Sequence, residues 1–122
     1  IVGSNNNSNF QITQGFSQPR MVIKTYVPDD NFEAYLETHD ASGSTVSVGD
    51  ANSMGDGIAN NDYVITANIS GITILDLNHT VSANISDLTG IEDFTLLRYL
   101  NINSNQITTI DVSNNIYFST HS

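Results

Sequence analysis

Apolar and polar positions alternate most regularly between residues 97 and 112, in LRYLNINSNQITTIDV. Aliphatic residues stand at Leu97, Leu100, Ile102, Ile107 and Ile110, with Asn105 among them. Alternation with period two predicts a short strand centred on Leu100, with Leu97, Leu100 and Ile102 turned inward. The same spacing occurs earlier at Ile72, Leu75 and Leu77, predicting a second strand centred on Leu75. It is interrupted around residues 79 to 84 and resumes as Ile85, Leu88, Ile91 and Phe94. One helical turn is predicted around Glu92 to Leu96, and another short strand within YVITANI, residues 63 to 69. Upstream, Phe32, Tyr35 and Leu36 fall on one face of a helix that starts at Pro28 to Asp30 and ends near His39. Asp29 or Asp30 can accept its first free amides, and Glu33 lies three after Asp30 in capping-box spacing. Residues 40 to 62 are rich in Gly, Ser, Asn and Asp and read as a long loop. Such a loop needs a ligand or its own side-chain hydrogen bonds to be ordered. Residues 3 to 9 are polar, and residues 10 to 27 hold two weak strands or an extended arm.

The L-x-x-L-x-L-x-x-N-x-L order from Leu97 is that of a leucine-rich repeat. A coil of this kind cannot bury its apolar edge alone and requires stacked neighbours. The fold expected is therefore α/β: a leucine-rich repeat solenoid with an amino-terminal capping helix and about two repeats with short parallel strands. Phe32 and Leu36 should cover the first coil near Ile69 or Leu75. Three regions follow: an arm or the end of a preceding module at 1–24, the helical cap and acidic loop at 25–71, and incomplete repeats at 72–122. A step of 21 residues from Leu100 lands on His121, where an aliphatic residue is expected. Further repeats of the same protein, or a partner, should cover that end.

Composition narrows the partners. Thirteen acids face three basic residues among the 122, a net charge of -10. That field opposes nucleic acid and anionic membranes. No apolar run approaches the length of a membrane span, so no direct membrane insertion is expected. Cysteine is absent, which excludes disulfides and thiolate metal sites.

The stretches TYVPDDNFEAYLETHD, NDYVITANI and ISDLTGIEDFTLLRYLNINSNQITTIDVSNN resemble the amino-terminal part of secreted leucine-rich repeat proteins of flavobacteria and other Bacteroidota. The likeness covers roughly residues 25 to 115. It implies a PDxNFE cap helix, an LTGIEDF element closing the first turn, and units recurring about every 21 residues. It also implies export by the type IX secretion route and a role in adhesion or binding at the outer membrane surface. QITQGFSQP separately resembles the end of β-rich modules in such proteins.

Two sets of residues could carry function. The first lies between the inward leucines: Arg98, Tyr99, Asn101, Asn103 and Ser104, with Ile74, Asp76, Asn78 and His79 from the earlier unit. Tyr and Arg commonly anchor protein interfaces, and Tyr with Asn and Asp also suits a glycan. Asn105 should instead bond backbone groups inside its turn. The second is DANSMGDG, where Asp50, Asn52 and Asp56 offer oxygens for calcium. Met54 and Asn61 break the EF-hand pattern, and a self-bonded loop is the alternative. No cofactor is otherwise implied. Neither GxSxG, HExxH nor a P-loop occurs, and the Glu33–Glu37 pair is explained by solubility of the cap helix. The expected function is an extracellular or cell-surface module without enzymatic activity that binds a protein partner through its repeat surface. The alternatives are a structural spacer and a non-catalytic accessory domain of a glycan-binding or glycan-degrading protein.

Overall fold

Two small sheets and a helix share one core. The computed structural model describes residues 21–78, 84–103 and 105–115, with the backbone of 120–121. Residues 1 to 20, His79 and Ser104 lie outside the described residues, and with them most of the expected arm.

The mixed α/β expectation holds. β1 (Lys24–Tyr26) pairs antiparallel with β2 (Tyr63–Ile65), placing Thr25 opposite Val64. α1 (Asp30–Glu37) connects to the long loop, and α2 (Thr66–Ile69) is a single helical turn directly after β2. β3 (Ile74–Asp76), β4 (Tyr99–Asn101) and β5 (Thr120–His121) form a second sheet in that order, all parallel. Leu75 stands opposite Leu100, as the spacing predicts. Leu100 stands opposite Thr120, which corrects the predicted step onto His121. Ladder partners are twenty-five residues apart across the first connection and twenty across the second. The first connection is longer because the register break at 79–84 falls within it.

Local sequence explains the elements. Asp29 is the N-cap of α1, and its Oδ1 accepts the Asn31 and Phe32 amides at 2.9 and 3.0 Å. The predicted helix is right in place and face, but it stops at Glu37, with Thr38 as C-cap. The Thr38 hydroxyl donates back to the Ala34 carbonyl at 2.7 Å, an alternative to continued helix. YVITANI is strand for three residues only. There the Thr66 amide donates to the Ile23 carbonyl and its hydroxyl meets that of Thr25 at 2.7 Å, turning the chain into α2. The helical turn predicted near Glu92–Leu96 is a 3-10 turn at Ile91–Asp93. It follows Gly90, whose φ is +109°. A Cβ there would lie 2.9 Å from the Tyr26 carbonyl oxygen and 2.8 Å from Val27 Cγ2, so the LTG turn sits directly on β1.

One cluster contains Phe32, Leu36, Val64, Ile69, Leu75, Leu97 and Leu100. The Phe32 and Phe94 rings stack with centroids 6.2 Å apart. The cap helix is thus part of the same core as the parallel strands. Asn105 bonds backbone groups as expected, but only one of them is in its own turn: its Nδ2 donates to the Asn103 carbonyl there and to the distant Leu77 carbonyl, and its Oδ1 accepts the distant Ile85 amide. Asn115 does related work, donating to the Ile91 and Phe94 carbonyls at 3.0 and 2.7 Å.

Candidate functional site

The outward face of β3 and β4 gathers part of the predicted set. Ile74 is the ladder partner of Tyr99, and Asp76 of Asn101. Ile74 is 61% exposed, large for an isoleucine on a regular strand. Asp76 is exposed and Tyr99 half-buried. Asn101 is buried, at 8% exposure, so its side chain has little to offer a partner. Its Oδ1 accepts the Asn103 amide at 3.0 Å, just as Asp76 Oδ1 accepts the Asn78 amide at 3.0 Å. Equivalent positions on neighbouring strands thus close the same turn, a structural task for residues expected to bind. Arg98 is exposed just before β4, and its amide donates to the Thr73 carbonyl.

The acidic loop is organised differently from the calcium site expected at Asp50, Asn52 and Asp56. Asp50 Oδ1 accepts the Asn52 amide at 2.8 Å, and both residues are exposed. The Asp56 carboxylate is fully buried and already matched. Its Oδ2 receives Lys24 Nζ at 3.0 Å and Asn61 Nδ2 at 2.7 Å, and its Oδ1 the Ile58 amide at 3.0 Å. Lys24 supplies the positive charge that a cation would have supplied. Burial raises the pKa of Asp56, but the bonds from Asn61, Glu37 and Lys24 outweigh it and bring it to about 2. The rest of the loop is self-bonded. Asp40 Oδ1 accepts the Ser42 and Ser44 amides and the Ser42 hydroxyl.

The loop is also latched to the helix, and this was not foreseen. Asp29, Glu33 and Glu37 follow at four-residue spacing. Glu33 and Glu37 are buried, at 0 and 1% exposure, which overturns their reading as a solubility pair. Glu33 accepts the Asn61 and Asp62 amides, both at 3.0 Å. Glu37 accepts the Asp56 and Gly57 amides at 2.9 and 3.0 Å. Asp29 Oδ2 accepts the Ser86 and Asp87 amides at 3.0 and 3.1 Å. Three carboxylates thus hold three stretches of backbone. Carboxylates that accept amide N–H groups give strong bonds. Burial pushes the Glu37 carboxyl up to about 7, with Asp56 beside it adding to the shift and the two amides opposing it. Gly55 makes the seat possible, because a Cβ there would lie 2.1 Å from Glu37 Cδ. The spacing was visible in the sequence, but the amides that claim these acids come from residues 19 to 58 positions away.

Another acidic group emerges. Carboxylate oxygens of Asp30, Glu33 and Asp62 lie within 4.8 Å of one another, close enough to hold a small cation. Asp62 has φ +68°, a left-handed conformation rare outside glycine. Among the described residues no helix is long and apolar enough to cross a membrane. No protein-family model, curated protein or solved structure significantly matches this chain.

Proposed function

We propose that the chain is a leucine-rich repeat interaction module of the cell exterior or outer membrane surface, binding a protein partner through the outward face of β3 and β4 and performing no chemistry itself. The observation that supports this most is the parallel in-register pairing of Leu75 with Leu100, which sets Ile74, Asp76 and Tyr99 on one face. An exposed aliphatic residue beside an aromatic one and an arginine is the composition of an interface anchor. The test is capture from outer-membrane extract. A partner retained by the native chain and lost on Tyr99→Ala or Arg98→Glu supports binding through this face. Retention by both variants, or no specific partner, supports a spacer instead.

Calcium is a second reading, favoured by the Asp30, Glu33 and Asp62 cluster rather than by Asp50 and Asn52. An ion held there would tie α1 to the end of the loop. Binding only the folded form raises the melting temperature. Calorimetry after chelator treatment should show a shift at millimolar calcium that Asp62→Asn abolishes. No shift leaves Glu33 holding the loop through its amide bonds alone.

A further inference from the structure

Lys24, Glu37 and Asp56 meet at one point. Lys24 opens β1, Glu37 ends α1, and Asp56 belongs to the loop between α1 and β2. Lys24 Nζ lies 3.0 Å from Asp56 Oδ2. The side chains of Asp56 and Glu37 are also hydrogen-bonded to each other. The Asp56 side chain is fully buried, Glu37 is buried, and the Lys24 side chain keeps 35% of its surface exposed.

Three features set this group apart from a surface ion pair. First, an amine and a carboxylate are held in contact with the carboxylate shut away from water. Groups positioned in this way react as if present at about 10⁵–10⁸ M. Nζ already touches Oδ2 and needs only to swing onto the adjacent Cγ. Burying two charges is costly, and joining them as a neutral amide removes both. Second, an acid able to exchange protons stands beside the pair. Burial pushes the Glu37 carboxyl up to about 7, a value suited to general acid and base work near neutrality. Third, donors already hold both Asp56 oxygens. Asn61 Nδ2 donates to Oδ2 at 2.7 Å and the Ile58 amide to Oδ1 at 3.0 Å. Donors so placed stabilise the oxyanion that forms when a carbonyl is attacked. The location also suits a staple. The loop from 39 to 62 adds only Met54 to the core, and the chain has no cysteine with which to tie it down.

We propose that Lys24 and Asp56 condense within the folded chain into an amide that joins β1 to the loop, with Glu37 as the catalytic acid and base. The ion pair is the state before this step. The Lys24 ammonium gives one proton to the carboxyl pair, which leaves Nζ a free amine and both acids protonated. The Nζ lone pair bonds to Asp56 Cγ, and the carbonyl electron pair moves onto the oxygen held by Asn61. Glu37 protonates the Asp56 hydroxyl, which leaves as water with the electron pair of its C–O bond. The carbonyl re-forms, and Glu37 takes a proton back from nitrogen. One ammonium and one carboxylate thus become one amide and one water. Glu37 ends as it began, and nothing is oxidised or reduced. The step happens once per chain and acts on no other molecule, so it stands independently of the binding reading.

The test is the intact mass of the native chain, kept folded at neutral pH and then denatured. It should be lighter than its sequence by one water. Trypsin on the unfolded chain should then cut after Arg20 and Arg98 but not after Lys24, because an amide-linked lysine is no longer a substrate. Lys24→Arg keeps the ion pair and should show the full mass. Glu37→Gln should lose water about a hundredfold more slowly than the native chain. A native chain of full mass that trypsin cuts after Lys24 overturns the proposal, and this result needs no variant to fold. Water lost equally from Lys24→Arg also overturns it, because that marks a succinimide at Asp56–Gly57 instead. A folded Glu37→Gln that condenses at the native rate overturns the role of Glu37.

Discussion

The α1 region and the parallel strands solve the same problem with opposite materials. Around β3 and β4 the chain is ordered by leucines facing a shared core, and Asn105 ties its turn to the Ile85 amide. Around α1 the loop from residue 39 to 62 contributes only Met54 to that core. Its order comes from carboxylates that accept backbone amides, and from Asp40, Asp50 and Asp56 closing their own turns. Much of the acidity that suggests a charged ligand surface is therefore internal scaffolding. A net charge of -10 describes the chain, but Glu33, Glu37 and Asp56 expose almost none of it.

Leu100→Ala should cost about 2–5 kcal/mol in denaturant unfolding, through a cavity in the core that β4 shares with α1. A loss well below that would mean the parallel strands are not apolar-packed. Gly55→Ala is the counterpart in the α1 region. Its Cβ must displace Glu37 from the amides of Asp56 and Gly57, and buried groups left unpaired cost about 1–3 kcal/mol each. Hydrogen exchange should then accelerate at 56–57 while the β3–β4 ladder stays protected. Glu33→Gln is milder. It keeps one acceptor for the Asn61 and Asp62 amides and should cost about 1.5–3 kcal/mol, the range of a hydrogen bond to a charged group. The matching change beside the parallel strands, Asn105→Ala, should release the Ile85 amide instead, and exchange there reports it.

The smallest expected effect is on pH dependence. Glu37 has a folded pKa of about 7 against an ordinary 4.5. The folded state binds the extra proton in that interval, so its contribution is complete below 4.5 and is lost as pH rises through about 7. Asp29 runs the other way. Its folded pKa is lowered by backbone hydrogen bonds, from Ser86 foremost, against the opposing push of burial. Its contribution is present above 3.8 and lost as pH falls below that. Melting temperature should therefore decline from pH 4.5 to 7 in the native chain, and less steeply in Glu37→Gln. An identical slope in both would remove Glu37 as the titrating group.

What depends on neighbours a few residues apart is legible along the chain. The helix from Asp30, its apolar face, the two strands and their Leu75–Leu100 register are written as spacings of two to four residues, and the structure has them. The backbone-bonding role of Asn105 was legible in part: its bond to Asn103 is local, whereas those to Leu77 and Ile85 span 28 and 20 residues. Tertiary structure alone decided the fate of the acids. Glu33 and Glu37 look like any solvated helical pair until a loop 19 to 29 residues away lays its amides across them. Asp56 looks like a calcium ligand until Lys24, thirty-two residues upstream, arrives beside it. Apolar burial follows a periodic code that one strand of sequence can display. A carboxylate takes whichever donor the folded chain brings within about 3 Å, and that choice has no local signature.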